Sequence, residues 1–177
     1  SVSARILRKY GYLIGFKPNF TILDEDDARS LIKLAVSDSG IDTKSRRFPA
    51  PAVLKSIFSL SENTKKSISE IVEWKHPSFI KINQEIQNVF RTYTDRKRAN
   101  NSMDFDDLLY NTHVLFKTHE DVLHKYQHRF KYVMVDEFQD TNISQYVITR
   151  KLAAVFENIC VVGDDAQSIY GFRGADI

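Results

Sequence analysis

Cysteine is almost missing from this chain. Cys160 is the single one among 177 residues, so no disulfide framework can staple the fold, and a reducing compartment is the simpler expectation. Glycine and proline are scarce too, at six and four, which excludes collagen-like and low-complexity architectures. No apolar run approaches the roughly 20 residues that span a bilayer, and no signal-peptide pattern opens the chain. A membrane partner is not expected, and a cytoplasmic location is. Charge, by contrast, is abundant: 25 basic and 23 acidic side chains in a chain that is 42% hydrophobic. Such a chain can bury one good core or two small ones.

The net charge of +2 is unevenly spread. Residues 1–100 hold 18 basic against 11 acidic groups, a balance of +7, while residues 101–177 hold 7 against 12, a balance of −5. That asymmetry suggests two units with different partners, a polyanion for the first and a metal or phosphate site for the second.

The first hundred residues have helical spacing. Val2, Ile6, Tyr10, Leu13 and Ile14 make one stripe, ending near Gly15 and Pro18. Asp24 has the position of an N-cap, followed by Glu25, Asp26 and Asp27 where the helix dipole favours negative charge. Ala28, Leu31, Ile32 and Ala35 continue that helix at the i, i+3, i+4, i+7 rhythm. A loop over residues 42–51 carries Lys44, Arg46 and Arg47. A helix with Ile82, Ile86, Val89, Phe90 and Tyr93 then ends in Arg96, Lys97 and Arg98. Those three cations either complement the helix C-terminus or touch nucleic-acid phosphates. Trp74 reads as a packing residue of this helical region.

Beyond Asn101 the pattern changes. Two helical stripes, the first with Asp104 in the capping position, lead to Tyr132-Val133-Met134-Val135. A further helix over Ile143 to Ala154 leads to Ile159-Cys160-Val161-Val162. Strand, helix, strand, with both strands apolar on each face, predicts a buried parallel sheet and a buried Cys160. A right-handed crossover puts both strand exits on one edge of that sheet, where ligands of such sheets bind. At the first exit stand Asp136 and Glu137. One carboxylate can hold Mg²⁺, a hard ion that keeps waters for phosphate, and its neighbour can take a proton from an attacking water. Taken alone, the pair is a weak signal, since many strands end in acids merely because loops are solvated.

The segment Asp136 to Asn142 and the segment Gly163 to Ile177, in this order and spacing, resemble the Walker B and motif III segments of superfamily 1 helicases of the UvrD, Rep and PcrA type. Ala4 to Arg8, Asn19 to Asp27 and Met103 to Leu109 are similar to that family as well, and the likeness is looser over about residues 40–100. The resemblance implies an α/β fold that is predominantly helical overall. Residues 1–100 would be a helical, DNA-facing domain of the 1B type, and residues 101–177 part of a RecA-like P-loop NTPase domain with parallel strands. It also implies roles: Asp136 for Mg²⁺, Glu137 for activating water, Gln139 for arranging the hydrolytic site, and Gln167 for sensing the γ-phosphate of ATP. Tyr170 and Phe172 would stack on DNA bases, and Arg173 would pair with phosphate or brace an aromatic ring. Two positions depart from the family pattern: Ala166 stands where an acid is common, and Phe172 where Trp is common.

A phosphate loop of the form Gly-x4-Gly-Lys-Ser/Thr is missing. The nearest approximation, Gly11 to Pro18, has the wrong spacing and reads as a helix end. The chain is therefore expected to be an interior piece of an ATP-dependent 3′ to 5′ translocase on single-stranded and junction DNA. By itself it is expected to bind neither ATP nor Mg²⁺ tightly, and to dimerise or swap elements through unpaired strand edges. Two alternatives stay open, a helicase subunit of a helicase–nuclease complex and an isolated nucleic-acid-binding module.

Overall fold

Helical periodicity and capping residues lay out most of this molecule, and the two apolar runs pair with each other. A computed structural model describes residues 1–41 and 48–164. In chain order these form α1 (Val2–Tyr10), β1 (Thr21–Ile22), α2 (Glu25–Asp38), α3 (Pro51–Thr64), α4 (Ile68–Lys75) and α5 (Asn83–Ala99). There follow β2 (Ser102–Met103), α6 (Phe105–Thr118), α7 (Glu120–Arg129), β3 (Val133–Val135), α8 (Ile143–Ala153) and β4 (Ile159–Val161). The described residues are thus mostly helical, with two small parallel sheets, β1 with β2 and β3 with β4.

Contacts divide the chain into two compact units: Phe20–Asp106, and Ser1–Asn19 together with the residues from Asp107 onward. This differs from the division at residue 100 expected from sequence. The first nineteen residues join the second unit because α1 has its partner there. Tyr10 meets Tyr126 of α7 edge-on at 6.0 Å between ring centroids, and the Lys125 ammonium lies 5.7 Å from the Tyr10 ring. Ile6 and Leu7 of the same helix are buried. The helix gives way to a 3-10 turn, Gly11–Ile14, and Gly15 ends it at φ +90°, a backbone region that glycine enters without steric cost.

In the helical unit, Asp24 caps α2 by accepting the Asp27 N–H at 2.8 Å. Pro51 starts α3, and Ser67 with Glu70 makes a reciprocal capping box on α4. The Ser67 hydroxyl and backbone hold the exposed Glu70 carboxyl below its ordinary pKa. Helices α2, α3, α4 and α5 enclose one core in which Ile32, Leu54, Ile57, Ile71, Val72, Ile86 and Val89 are sealed from solvent. Phe58 packs on Phe90 and Tyr93 at 4.9 and 6.0 Å. Each such side chain stabilises the unit by roughly 1.5–3 kcal/mol through burial.

The same unit buries charge. Lys55, placed among the apolar residues of α3, donates to Asp104 at 3.2 Å and to Asp106 at 2.6 Å. Asp104 also accepts from Lys97 at 3.2 Å and from the Tyr93 hydroxyl at 2.7 Å, while Asn63 donates to Asp106 at 2.8 Å. Burial alone would lower the Lys55 pKa, but the two facing carboxylates outweigh it and raise the pKa above the ordinary lysine value. Asp104, read from sequence as a helix cap, is therefore the centre of a buried ionic network.

Two expectations of burial are overturned. Trp74 is 59% exposed, its ring lying 4.6 Å from the Lys66 ammonium and 4.5 Å from that of Lys75. The β3–β4 pair is parallel as expected, in register Val133↔Ile159 to Val135↔Val161, yet Met134 is 77% exposed and Cys160 is exposed too. Among the described residues the sheet has only two strands, so apolar composition on both faces meets too little cover.

Candidate functional site

The acids at the tip of β3 are shaped by a tight turn. Asp136 leaves the strand, and its Oδ1 accepts the Glu137 N–H at 3.0 Å. Glu137 takes a left-handed conformation, φ 52° and ψ 46°. For a residue with a Cβ that costs on the order of 1–2 kcal/mol. Two turn hydrogen bonds hold it: Asp140 N–H to the Glu137 carbonyl and Thr141 N–H to the Phe138 carbonyl, each 3.0 Å. The chain then enters α8, where Asn142 and Gln145 form a reciprocal capping box. Both acids stay exposed on this turn, available to a ligand.

The exit of β4 lies against the same turn. Val162 N–H donates to the Val135 carbonyl at 2.8 Å, and Phe138 N–H donates to the Val162 carbonyl at 2.9 Å. Gln139 adds a side-chain link: its Nε2 donates to Glu137 Oε2 at 2.5 Å, and its Oε1 accepts the Asp164 N–H at 3.0 Å. A cleft of about 630 Å³ is lined by Asp136, Glu137, Asp140, Thr141 and Gln145, with Met134, Ile148 and Leu152 among its apolar walls. Asp140 Oδ1 is buried there without a hydrogen-bond partner. Asp136 and Glu137 offer exposed carboxylate oxygens, the ligand type of a hydrated divalent cation, but with Asp140 they do not bring three ligand atoms within 4.8 Å of one another.

Of the residues singled out in the sequence, Asp136, Glu137 and Gln139 are therefore brought together. Gln167, Tyr170, Phe172 and Arg173 lie outside the described residues, as do Lys44, Arg46 and Arg47. The basic tail of α5 divides by face. Arg96 forms a two-nitrogen ion pair with Asp38, its Nε at 2.6 Å, and Arg98 is exposed. Lys97 corrects the expectation of a phosphate contact: it is 2% exposed, and its ammonium is spent on Asp104. Consecutive helical residues point about 100° apart, so three adjacent cations cannot share one face.

Sequence reasoning missed the Lys55 network, although a lysine flanked by Leu54, Ile57 and Phe58 in an apolar stripe was the available signal. Among the described residues, one group of three acids brings its ligand atoms within 4.8 Å: Glu62, Asp104 and Asp106. The Lys55 ammonium already bonds two of them, so the cluster is charge-compensated. Sequence reasoning placed Gly163 at the opening of the second segment but missed its closeness to the Gln139 side chain, a contact between positions 24 residues apart.

The sequence profile of the UvrD/REP helicase N-terminal domain matches residues 1–177. The chain is 39% identical over all 177 residues to the ATP-dependent DNA helicase PcrA of Staphylococcus aureus (strain COL), covering 23% of that protein. It is 40% identical to the ATP-dependent DNA helicase PcrA of Staphylococcus epidermidis (strain ATCC 12228 / FDA PCI 1200), covering 24% of it. The chain thus spans about a quarter of the length of these curated relatives. Among the described residues, no helix is long and apolar enough to cross a membrane. With a match along its entire length, this chain belongs to the UvrD/REP helicase N-terminal domain family.

Proposed function

We propose that this chain is a section of a cytoplasmic, ATP-driven DNA helicase moving 3′ to 5′ on single-stranded and junction DNA, and that it supplies the acids of nucleotide hydrolysis. The strand-bearing unit is then part of a RecA-like domain, and the helical unit a 1B-type domain facing DNA. Asp136 would hold Mg²⁺, which supplies charge neutralisation to the phosphates of ATP when bound. Glu137 accepts the proton of the attacking water. Gln167 contacts the γ-phosphate, Tyr170 and Phe172 stack on bases, and Arg173, Arg96 and Arg98 contribute positive charge toward DNA.

The observation that carries this reading is the convergence of Asp136 and Glu137 with the exit of the adjacent parallel strand at Asp164. General-base catalysis contributes about 10²–10⁴-fold, so Glu137→Gln in the helicase-length protein should lower DNA-stimulated ATP hydrolysis by that order. Binding of ATP should remain. Hydrolysis at the unsubstituted rate in that variant would refute the assignment. The 177-residue chain alone should not turn ATP over, since it lacks a phosphate loop.

A further inference from the structure

We propose that the packed helices α1 and α7 present a contact surface for the phosphate backbone of nucleic acid, formed by Arg5, Lys9, Lys125 and Arg129. The proposal rests on the reading of the chain as part of a DNA helicase. It uses none of the residues given a role from sequence, and it lies on the strand-bearing unit. Residues 1–19 bring four cations and no acid to that unit. Residues 107–164 hold six basic and eight acidic groups, so the balance of the described unit turns from −2 to +2 when residues 1–19 join it. Tertiary packing thus reverses the sign of charge that the sequence alone suggests for this part of the molecule.

Each helix turns its cations outward for the same reason. Helix α1 buries Ser3, Ala4, Ile6 and Leu7, and α7 buries Val122, Tyr126 and Gln127, which leaves Arg5, Lys9, Lys125 and Arg129 exposed. Arg5 and Lys9, like Lys125 and Arg129, are four residues apart, so each helix carries one cation per turn at a rise of about 6 Å. The Tyr10–Tyr126 contact brings the two rows together. The Lys9 and Lys125 ammonium groups lie 5.6 and 5.7 Å from the one Tyr10 ring. The charges of Arg129, Lys125 and Arg5 also reach the Tyr126 hydroxyl, where they oppose the rise in pKa caused first by burial and then by Tyr10. Among the described residues none of these four cations is ion-paired with a carboxylate. The acids of α7, Glu120 and Asp121, stand in its first turn. Cations gathered without counterions repel one another, and a polyanion relieves that repulsion while releasing its own condensed counterions. Tyr126 is buried and Tyr10 is faced by two ammonium groups, so neither ring is offered to a base. Such a surface grips phosphate at any sequence. Two rows of evenly spaced cations match a ligand whose charge recurs at every residue, as phosphate does along a nucleic-acid strand, better than an acidic protein segment with irregular carboxylates.

The test is fluorescence anisotropy of a short labelled single-stranded DNA titrated with the 177-residue chain over a range of salt. Each phosphate contact on a single strand contributes about 0.7 to the slope of log affinity against log salt. Arg5→Gln combined with Arg129→Gln removes two exposed contacts, so the slope should fall by about 1.4 and the affinity at about 0.1 M salt by about 25-fold. Lys9→Gln with Lys125→Gln should behave alike, and duplex DNA should show a slope change of about 1.8. Arg150→Gln with Lys151→Gln makes the same change of charge on α8 and should leave the slope nearly unchanged. An unaltered slope in Arg5→Gln with Arg129→Gln would overturn the surface. So would an equal loss in the α8 pair, since only overall charge would then matter. Polyglutamate bound more tightly than DNA at equal salt would also overturn it, by assigning the face to an acidic protein. Failure of the wider reading looks different: a chain that binds neither single strand nor duplex at low salt refutes DNA contact altogether. Binding that persists with an unchanged slope removes α1 and α7 alone. Acetylation gives a readout independent of affinity: bound DNA should protect Lys9 and Lys125 while Lys151 stays reactive, and equal labelling with and without DNA would refute the proposal.

Discussion

The helical unit buries what its sequence offers, whereas the strand pair displays it. Leu54, Ile57 and Ile86 are fully enclosed by neighbouring helices, and even Lys55, Lys97 and Asp104 sit inside with their charges matched. Val161 and Met134, no less apolar, remain 50% and 77% exposed on the β3–β4 sheet. The difference lies in what surrounds each element. Four helices supply every face of the first core, while two strands alone leave two open edges and incomplete cover. It is also the less covered strand pair that carries the candidate hydrolytic acids.

The largest effect that would sharpen this contrast comes from Lys55→Ala. Removing one partner of a buried ion pair leaves Asp104 and Asp106 undercompensated and should cost about 3–5 kcal/mol in urea unfolding of the helical unit. A loss under about 1 kcal/mol would mean that the network contributes no more than an exposed pair. Because the folded-state pKa of Lys55 is raised, its contribution is fully present below the ordinary value of 10.5 and is lost only as pH rises through the folded value. Val161→Ala gives the opposite pole: with half its surface already in water, it should change stability by no more than about 0.5 kcal/mol. A cost approaching the roughly 2–5 kcal/mol of a buried isoleucine truncation would break the comparison, since it would show the sheet to be covered in solution.

The smallest effect belongs to His76, whose pKa is lowered by partial burial and then by the Lys75 charge. The unfolded chain binds this proton more tightly than the folded one. The stability associated with neutral His76 is therefore present above the ordinary value of 6.5 and lost as pH falls through the lower folded value. Thermal unfolding of the helical unit should show a slight destabilisation across that window, flattened in His76→Gln. An identical pH dependence in both chains would remove His76 from the account.

Helices were the most legible feature because their signals are local. The stripe of α2 and its Asp24 cap act over a few residues, and the structure keeps both. The parallel pairing of β3 with β4 was also readable, since strand, helix and strand in that order leave few topologies. The β1–β2 pairing was not: two-residue strands whose partners lie 81 positions apart have no pattern of their own. For the candidate site, Asp136 and Glu137 were visible as acids ending an apolar run, and Gln139 through family resemblance. Lys97 was misread because a run of cations in the sequence does not disclose which helix face each occupies.

By itself the sequence determined the capped start of α2 and the span of α8, which acids end a strand, and which family the chain resembles. All of these are carried by residues within a few positions of one another or by contiguous motifs. Tertiary structure alone decided that residues 1–19 pack with the second unit, that Lys55 finds Asp104 across 49 positions, and that Gln139 reaches Asp164 across 25. Such partners are selected by the packing of helices and strands against each other, and local propensity holds no record of that choice.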